Sequence, residues 1–267
     1  MSSSVRSPFT LPSELRRAAR SGAFNAPTAG HCLGYVHTNL VIVPADAADE
    51  FVEFCRLNSQ PCPLVARTEP GNPEPRDVAP GADLRTDVPR YRVFRHGVPQ
   101  SDEPTDIRDL WQDDFVGCLL GCSFTFENAL EAAELRVRHI AEGRNVPMYQ
   151  TSVPCQSAGR FRGNLVVSMR PYRPDQVEEV RRITGQYPRM HGAPVHVGDP
   201  AALGIADIQR PEFGEPVTIK PDEVPVFWAC GVTPQLALRN ARLPLAITHS
   251  PGYMFVTDLR DEEFCER

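Results

Sequence analysis

The sequence predicts an α/β protein: a mixed sheet with strand–helix alternation in the C-terminal half. The 1–267 chain would form either one compact domain or two closely packed lobes. Three observations predict this class. Residues 34–44, GYVHTNLVIVP, are a β-branched run closed by proline, and residues 45–58, ADAADEFVEFCRLN, follow with an apolar stripe at helical spacing. The C-terminal half then alternates: APVHV and DPAALGIADI, VPVFWAC and TPQLALRNAR, LAITHS and YMFVTDL. Finally, 267 residues at 41% hydrophobic and 23% charged supply the apolar mass for a layered fold.

The N-terminal stretch MSSSVRSPFTLPSELRRAARSG carries the serines and arginines of a transit peptide, but LPSELRRAARSG also suits a surface helix capped by Ser13 and ended at Gly22. The surface helix is the expectation, which places the protein in the cytoplasm; the transit reading would send it to the mitochondrial matrix. Residues 59–89 are dense in Pro, Gly, Asp and Arg, yet their leucines and valines predict an ordered loop laid over the protein. YRVFRHG is a short strand running into a turn. The segment from Thr105 to Leu135 is expected to hold one or two helices punctuated by Gly117 and Gly121, with Cys118 and Cys122 on one helix face. GNLVVSMRP reads as a strand, followed by a helix over 174–186 with Pro174 in its first turn.

Charge and cysteine usage remove several classes of function. A net charge of -6 gives no reason to expect nucleic acid or an anionic membrane surface as partner, and no apolar run is long enough to span a bilayer. The 27 prolines, roughly twice average usage, are scattered at turns and helix starts. Eight cysteines without a CxxC pair point to free thiols in a reducing compartment. GxGxxG, P-loop, GxSxG and zinc-protease patterns are all missing, so nucleotide-driven chemistry has no support.

Two segments place a helix start just past a strand end. In VHVGDPAAL and FWACGVTPQLAL, Asp199 and Thr233 suit N-caps and Pro200 and Pro234 the first helical turn. Free backbone N–H groups there receive carboxylates, or simply turn the chain. Cys230 stands at one such junction, where a helix start lowers a thiol pKa; the alternative is a small buried hydrophobe. His196 is a candidate for proton transfer, with Asp199 just beyond it, and His191, His196 and Asp199 form the only metal set considered, which is not favoured. Glu127, in GCSFTFE with Cys122 and Ser123, is either an acid with a raised pKa or a solvent-facing residue on a helix capped by Ser123. Arg144 and Asn145 precede a short strand, where arginine can grip a carboxylate or form a surface ion pair. His249, before a Ser-Pro-Gly turn, and Asp258 could line the same cleft.

Eight blocks in order, GYVHTNLVIVP, GADLRTDVPRYRVFR, GCSFTFE, EGRNVPMY, NLVVSMRP, HGAPVHVGDP, EVPVFWACGVTPQ and AITHSPGYMFVTD, resemble the hydro-lyase family that includes the D-glutamate cyclase domain, over about residues 12–260. The resemblance implies dehydration of a small amino or hydroxy acid, foremost D-glutamate to 5-oxo-D-proline and water, without a cofactor. Cys230, His196, Glu127 and Asp199 would then be catalytic, and Arg144, Asn145, Thr233, His249 and Cys122 would bind substrate. A small-molecule carboxylate is the expected partner, with a homo-oligomer as the expected assembly. A carboxylate-binding protein without turnover and a metal-assisted dehydratase are the competing readings. The family leads one to expect histidine after the Ser-Pro-Gly turn, where this chain has Tyr253.

Overall fold

The structure, a computed structural model, describes residues 9–266; the serine-rich start of the transit-peptide reading, residues 1–8, lies outside them. In chain order the elements are α1 (Pro12–Arg20), β1 (Tyr35–Pro44), α2 (Ala45–Leu57), β2 (Leu64–Arg67), β3 (Tyr91–Arg95), β4 (Val98–Pro99), β5 (Phe115–Gly121), α3 (Phe124–Ala132), α4 (Arg138–Ala141), β6 (Met148–Pro154), β7 (Asn164–Tyr172), α5 (Val177–Gly185), β8 (His196–Val197), β9 (Val224–Ala229), α6 (Thr233–Ala241), β10 (Ala246–His249) and β11 (Phe255–Arg260). Short 3₁₀ turns join several of them. No helix among the described residues is long and apolar enough to cross a membrane.

The α/β class holds, and the strands divide into two sheets. One runs β2-β5-β1-β10-β3-β4, with β11 also on β1; the other runs β6-β7-β9-β8. Every described strand pairing is antiparallel, so strand–helix alternation here does not produce parallel crossovers. β1 is central because its side chains are apolar on both faces. Val41 and Val43 face α2, whose Ala47, Ala48, Phe51 and Phe54 are buried against them. Leu40 and Ile42 face the other way, under residues of the 59–89 segment. That segment is the expected ordered cover: Val78, Ala79, Ala82, Leu84 and Val88 all enter the core, and the Tyr91 hydroxyl donates to the Leu84 carbonyl at 2.8 Å.

Three local expectations are corrected. Helix α1 has Leu11 in extended geometry at its N-cap and Pro12 inside the helix, so Ser13 lies in the first turn and caps nothing; Gly22, at φ +73°, follows the helix as expected. Cys118, Gly117 and Gly121 belong to strand β5, not a helix, and Cys118 sits opposite Val41. An apolar run that short carries no periodicity able to separate strand from helix, and its burial on both faces removes the alternation that would mark a strand. Lastly, Thr233 is the first residue of α6 while Val232 holds the cap position.

The glycines of β5 are there for close approach. A Cβ on Gly121 would overlap the backbone carbonyl of Arg189 and the Met190 sulfur, whereas one on Gly117 would meet the tip of the Leu84 side chain. A backbone carbonyl cannot turn aside and a leucine methyl can. Gly121→Ala is therefore expected to cost about 1–3 kcal/mol and Gly117→Ala less. Urea unfolding midpoints at unchanged slope measure both; a Gly117→Ala loss equal to or larger than that of Gly121→Ala would refute the account.

Candidate active site

Two helix crossings build the site. After β5 the chain passes Cys122 and Ser123 into α3, which leaves its own sheet and buries Phe126 and Leu130 against Val226 and Trp228 of the four-stranded sheet. After β9 it passes Cys230, Gly231 and Val232 into α6, which buries Leu236 with Val166 of its own sheet and places Ala237 and Leu238 in the core with Val41, Val43 and Cys118 of the other. The two strand-to-helix junctions meet at the seam between the sheets. They border a narrow cavity of about 30 Å³ lined by Cys122, Ser123, Cys230 and Gly231, by Asn39, Asn145, His191 and His249, and by the Pro251–Gly252 turn, with Val146, Met148 and Met254 among its apolar walls.

An interrupted strand edge supplies the remaining wall. β10 pairs with Val41 and Ile42 of β1, and β11 pairs with Tyr35, His37 and Thr38, both along the same edge. Between them the Ser-Pro-Gly turn leaves the Leu40 N–H without a strand partner, and the His249 imidazole takes that place, its Nδ1 at 3.1 Å. The same Nδ1 is 3.3 Å from the Leu40 carbonyl, so it accepts from the N–H in one neutral tautomer and donates to the carbonyl in the other. Asn39 sits beside this gap; its Nδ2 donates to the Gly121 carbonyl at 2.8 Å, and Gly231 packs against its carboxamide with no room for a Cβ.

Burial dominates the acid–base behaviour. It lowers His249 to about 4 against the Leu40 backbone contact that pulls the other way. It also lowers His191 to about 4, helped by the charge of Arg170 and opposed by the Gln60 and Gly121 carbonyls. The His191 Nδ1 hydrogen-bonds the Gln60 carbonyl at 2.8 Å, and its backbone is left-handed, at φ +76°. Of the two alternatives for Cys230, the lowered pKa is not found: burial pushes the thiol up to about 11, only partly offset by the Val232 N–H and Arg170. Cys122 rises to about 12 for the same reason, with the Phe124 N–H opposing. Both thiols are neutral near pH 7.

Behind Ser123 lies a buried charge cluster. Arg170 of β7 is fully buried; its Nε donates to Glu127 Oε1 at 3.0 Å, Nη1 to Ser168 Oγ at 3.1 Å and Nη2 to Ser123 Oγ at 2.9 Å, with a further Nη2 contact to Glu127 Oε1. The guanidinium also stacks over Phe126 and Trp228. Burial would raise the Glu127 pKa, but Arg170 and His139, whose Nε2 is 3.5 Å from Oε2, bring it down to about 2. Glu127 is therefore neither a proton-loaded acid nor solvent-facing, contrary to both alternatives the sequence suggests.

The structure brings Cys122, Asn145, Cys230 and His249 to the cavity wall. Thr233 stands just behind, its hydroxyl donating to the Cys230 carbonyl at 2.8 Å and accepting the Val166 N–H at 3.0 Å. His196 and Asp199 are elsewhere: His196 is on the edge strand β8, hydrogen-bonded to the Asp199 carbonyl at 2.8 Å, and exposed Asp199 caps its own turn through the Ala201 N–H. Arg144 is exposed, bonded to the Pro216 carbonyl and 3.6 Å from Glu142. Asp258 pairs with Arg16 at 3.0 Å. Tyr253 lies outside the lining, its ring under the Arg90 guanidinium. His191, His196 and Asp199 do not converge, and among the described residues no group of three or more His, Cys, Asp or Glu is placed to hold a metal ion. A larger depression of about 450 Å³ is lined by mutually compensating surface charges, among them Arg138 and Glu223, and by none of the predicted site residues.

Asn39 and Arg170 escaped the sequence reading. Each was signalled by a polar residue inside an apolar strand, TNLVIV and LVVSMRP, a placement that demands a buried partner.

Comparison with known proteins gives a consistent picture. A family profile described as D-glutamate cyclase matches residues 116–258. Proteins with provisional hydro-lyase names are similar over nearly their whole length: one from Bacillus licheniformis is 55% identical over 95% of this chain and 96% of its own. One from Rubrobacter xylanophilus is 57% identical over 94% and 96%, and one from a Thermoanaerobacter species is 54% identical over 94% of each.

Two outcomes follow from the buried groups. His37, His191 and His249 all have folded pKa values near 4 against an ordinary 6.5, so between these values the unfolded chain binds more protons. Stability is then fully present above about pH 6.5 and falls as pH drops toward 4, and Glu127 extends the loss from about 4.5 toward 2. Urea midpoints at a series of pH values should show this slope, reduced in His249→Gln; a flat profile from pH 7 to 4 would contradict it. Glu127→Gln, which leaves Arg170 without its counter-charge, should cost about 3–5 kcal/mol, and Glu127→Leu with Arg170→Met should recover much of that. A double variant no more stable than Glu127→Gln alone would show that the charge is not the cause.

Proposed function

The chain belongs to the D-glutamate cyclase family, and from that premise we propose that the seam cavity removes water from a small amino acid, closing D-glutamate to 5-oxo-D-proline. The observation that carries this reading is the composition of the wall. The cavity offers two helix starts, two carboxamides, two imidazoles, two thiols and a hydroxyl, with no Asp, Glu, Lys or Arg. A substrate that brings its own charges finds donors for its carboxylates and groups that move protons.

Ring closure needs a neutral amine, a polarised side-chain carboxyl, and a proton for the departing oxygen. The N–H groups opening α3 and α6 suit the α-carboxylate. His191, with Nδ1 bound to the Gln60 carbonyl, takes the ammonium proton on its second nitrogen. The amine nitrogen attacks the γ-carboxyl carbon, and the neutral His249 ring in the cavity wall is the group suited to hydrogen-bond the developing oxyanion. The departing oxygen takes one proton from Cys230, neutral near pH 7, and one back from His191, and leaves as water, while the nitrogen's second proton restores the Cys230 thiol. The raised thiol pKa favours this proton-donor role over thiolate attack and a thioester.

Proton NMR of the purified protein with D-glutamate should show 5-oxo-D-proline accumulating. Cys230→Ser and His249→Gln should each lower kcat by about 10²–10⁴ at retained fold. A D-glutamate-induced rise in Tm with no product would instead identify a carboxylate-binding protein.

A further inference from the structure

We propose that the same cavity also exchanges the hydrogen on the α-carbon of its amino acid, with Cys122 and Cys230 as proton carriers on opposite sides, so that the centre can be inverted. The proposal rests on the cavity being the amino-acid site and adds an activity to it.

The geometry is reciprocal. Cys122 follows the last residue of β5 in one sheet and Cys230 follows the last residue of β9 in the other, and both line the cavity. Each is followed, two residues later, by a backbone N–H directed at its sulfur, from Phe124 and Val232 respectively. A helix start favours the thiolate when one forms. The two sulfurs also sense one another electrostatically, and neither is in a disulfide. With no carboxylate or amine side chain in the wall, thiols and imidazoles are the groups able to take a proton from carbon. Ser123 completes the arrangement. Its oxygen accepts from the Arg170 guanidinium, which leaves its own O–H to donate into the cavity, where it stabilises charge spreading onto the α-carboxylate.

The proton balance closes without an oxidant or reductant. One thiol enters the cycle ionised, its proton released to water. The resulting thiolate takes the α-hydrogen as a proton, and the C–H electron pair moves into the α-carboxylate as an enediolate. The opposite thiol returns its proton to the other face of the carbon. The product is the mirror-image amino acid, and the two sulfurs have exchanged protonation states.

Proton NMR in D₂O with D-glutamate and, separately, L-glutamate reads both reactions in one spectrum, with chiral chromatography for inversion. The wild-type protein is expected to wash out the α-proton of both isomers and form each from the other. Cys122→Ser and Cys230→Ser should each lower inversion by about 100-fold or more. Residual exchange should be confined to one isomer in the first variant and to the other in the second, a split that general loosening of the cavity would not produce. Cys→Ala substitutions at both positions serve if serine unfolds the chain. Cyclic product with the α-proton retained would overturn this inference and leave the cyclase reading intact. Exchange without cyclic product would support the inference and overturn cyclisation; no exchange and no product from either isomer would overturn both.

Discussion

The arrangement depends on the buried pair of Arg170 and Glu127. Arg170 is on β7 of the four-stranded sheet and Glu127 is on the helix that follows β5 of the seven-stranded one, so the pair ties the sheets together through a single contact. Taking a guanidinium fully out of water is costly, and only a dense set of partners offsets it. Arg170 has two serine hydroxyls, a carboxylate and two aromatic faces. Such a pair adds little net stability over an apolar replacement but tolerates few alternative geometries. It therefore defines where α3 begins relative to β7, and with it the positions of Cys122 and Ser123.

The chemistry of the cavity follows from that neutralisation. The nearest full charges are matched behind the wall, so the lining presents dipoles and neutral titratable groups. Burial keeps the imidazoles unprotonated and the thiols protonated near pH 7. Polarity comes from helix starts and backbone contacts fixed by the fold, an environment that needs little reorganisation when charge develops on a bound molecule.

What could be read in the sequence divides along a physical line. β1, α2, β3, β7, β9 and α6 each carry a local pattern of apolar spacing and stop signals, and each is found where that pattern places it. Strand β5 is too short and too thoroughly buried for periodicity to separate it from a helix. Cys122, Asn145, Cys230 and His249 stand at element ends, where turn residues mark positions that can face a cleft. Glu127 could not be assigned because its environment is set by Arg170, 43 positions away in sequence, and by a helix crossing that no local window contains. His196 and Asp199 carry functional side chains in a functional-looking motif, yet β8 lies at a sheet edge beyond the seam. Arg144 satisfies neighbouring backbone, which is the ordinary fate of an exposed arginine.

The reciprocal exchange of helices has a mechanical consequence. Each sheet is gripped by a helix that grows out of the other, and the two points of departure are the walls of the cavity. The walls of the cavity are therefore not free to shift on their own: moving either helix start would disturb side chains packed in the core of the opposite sheet.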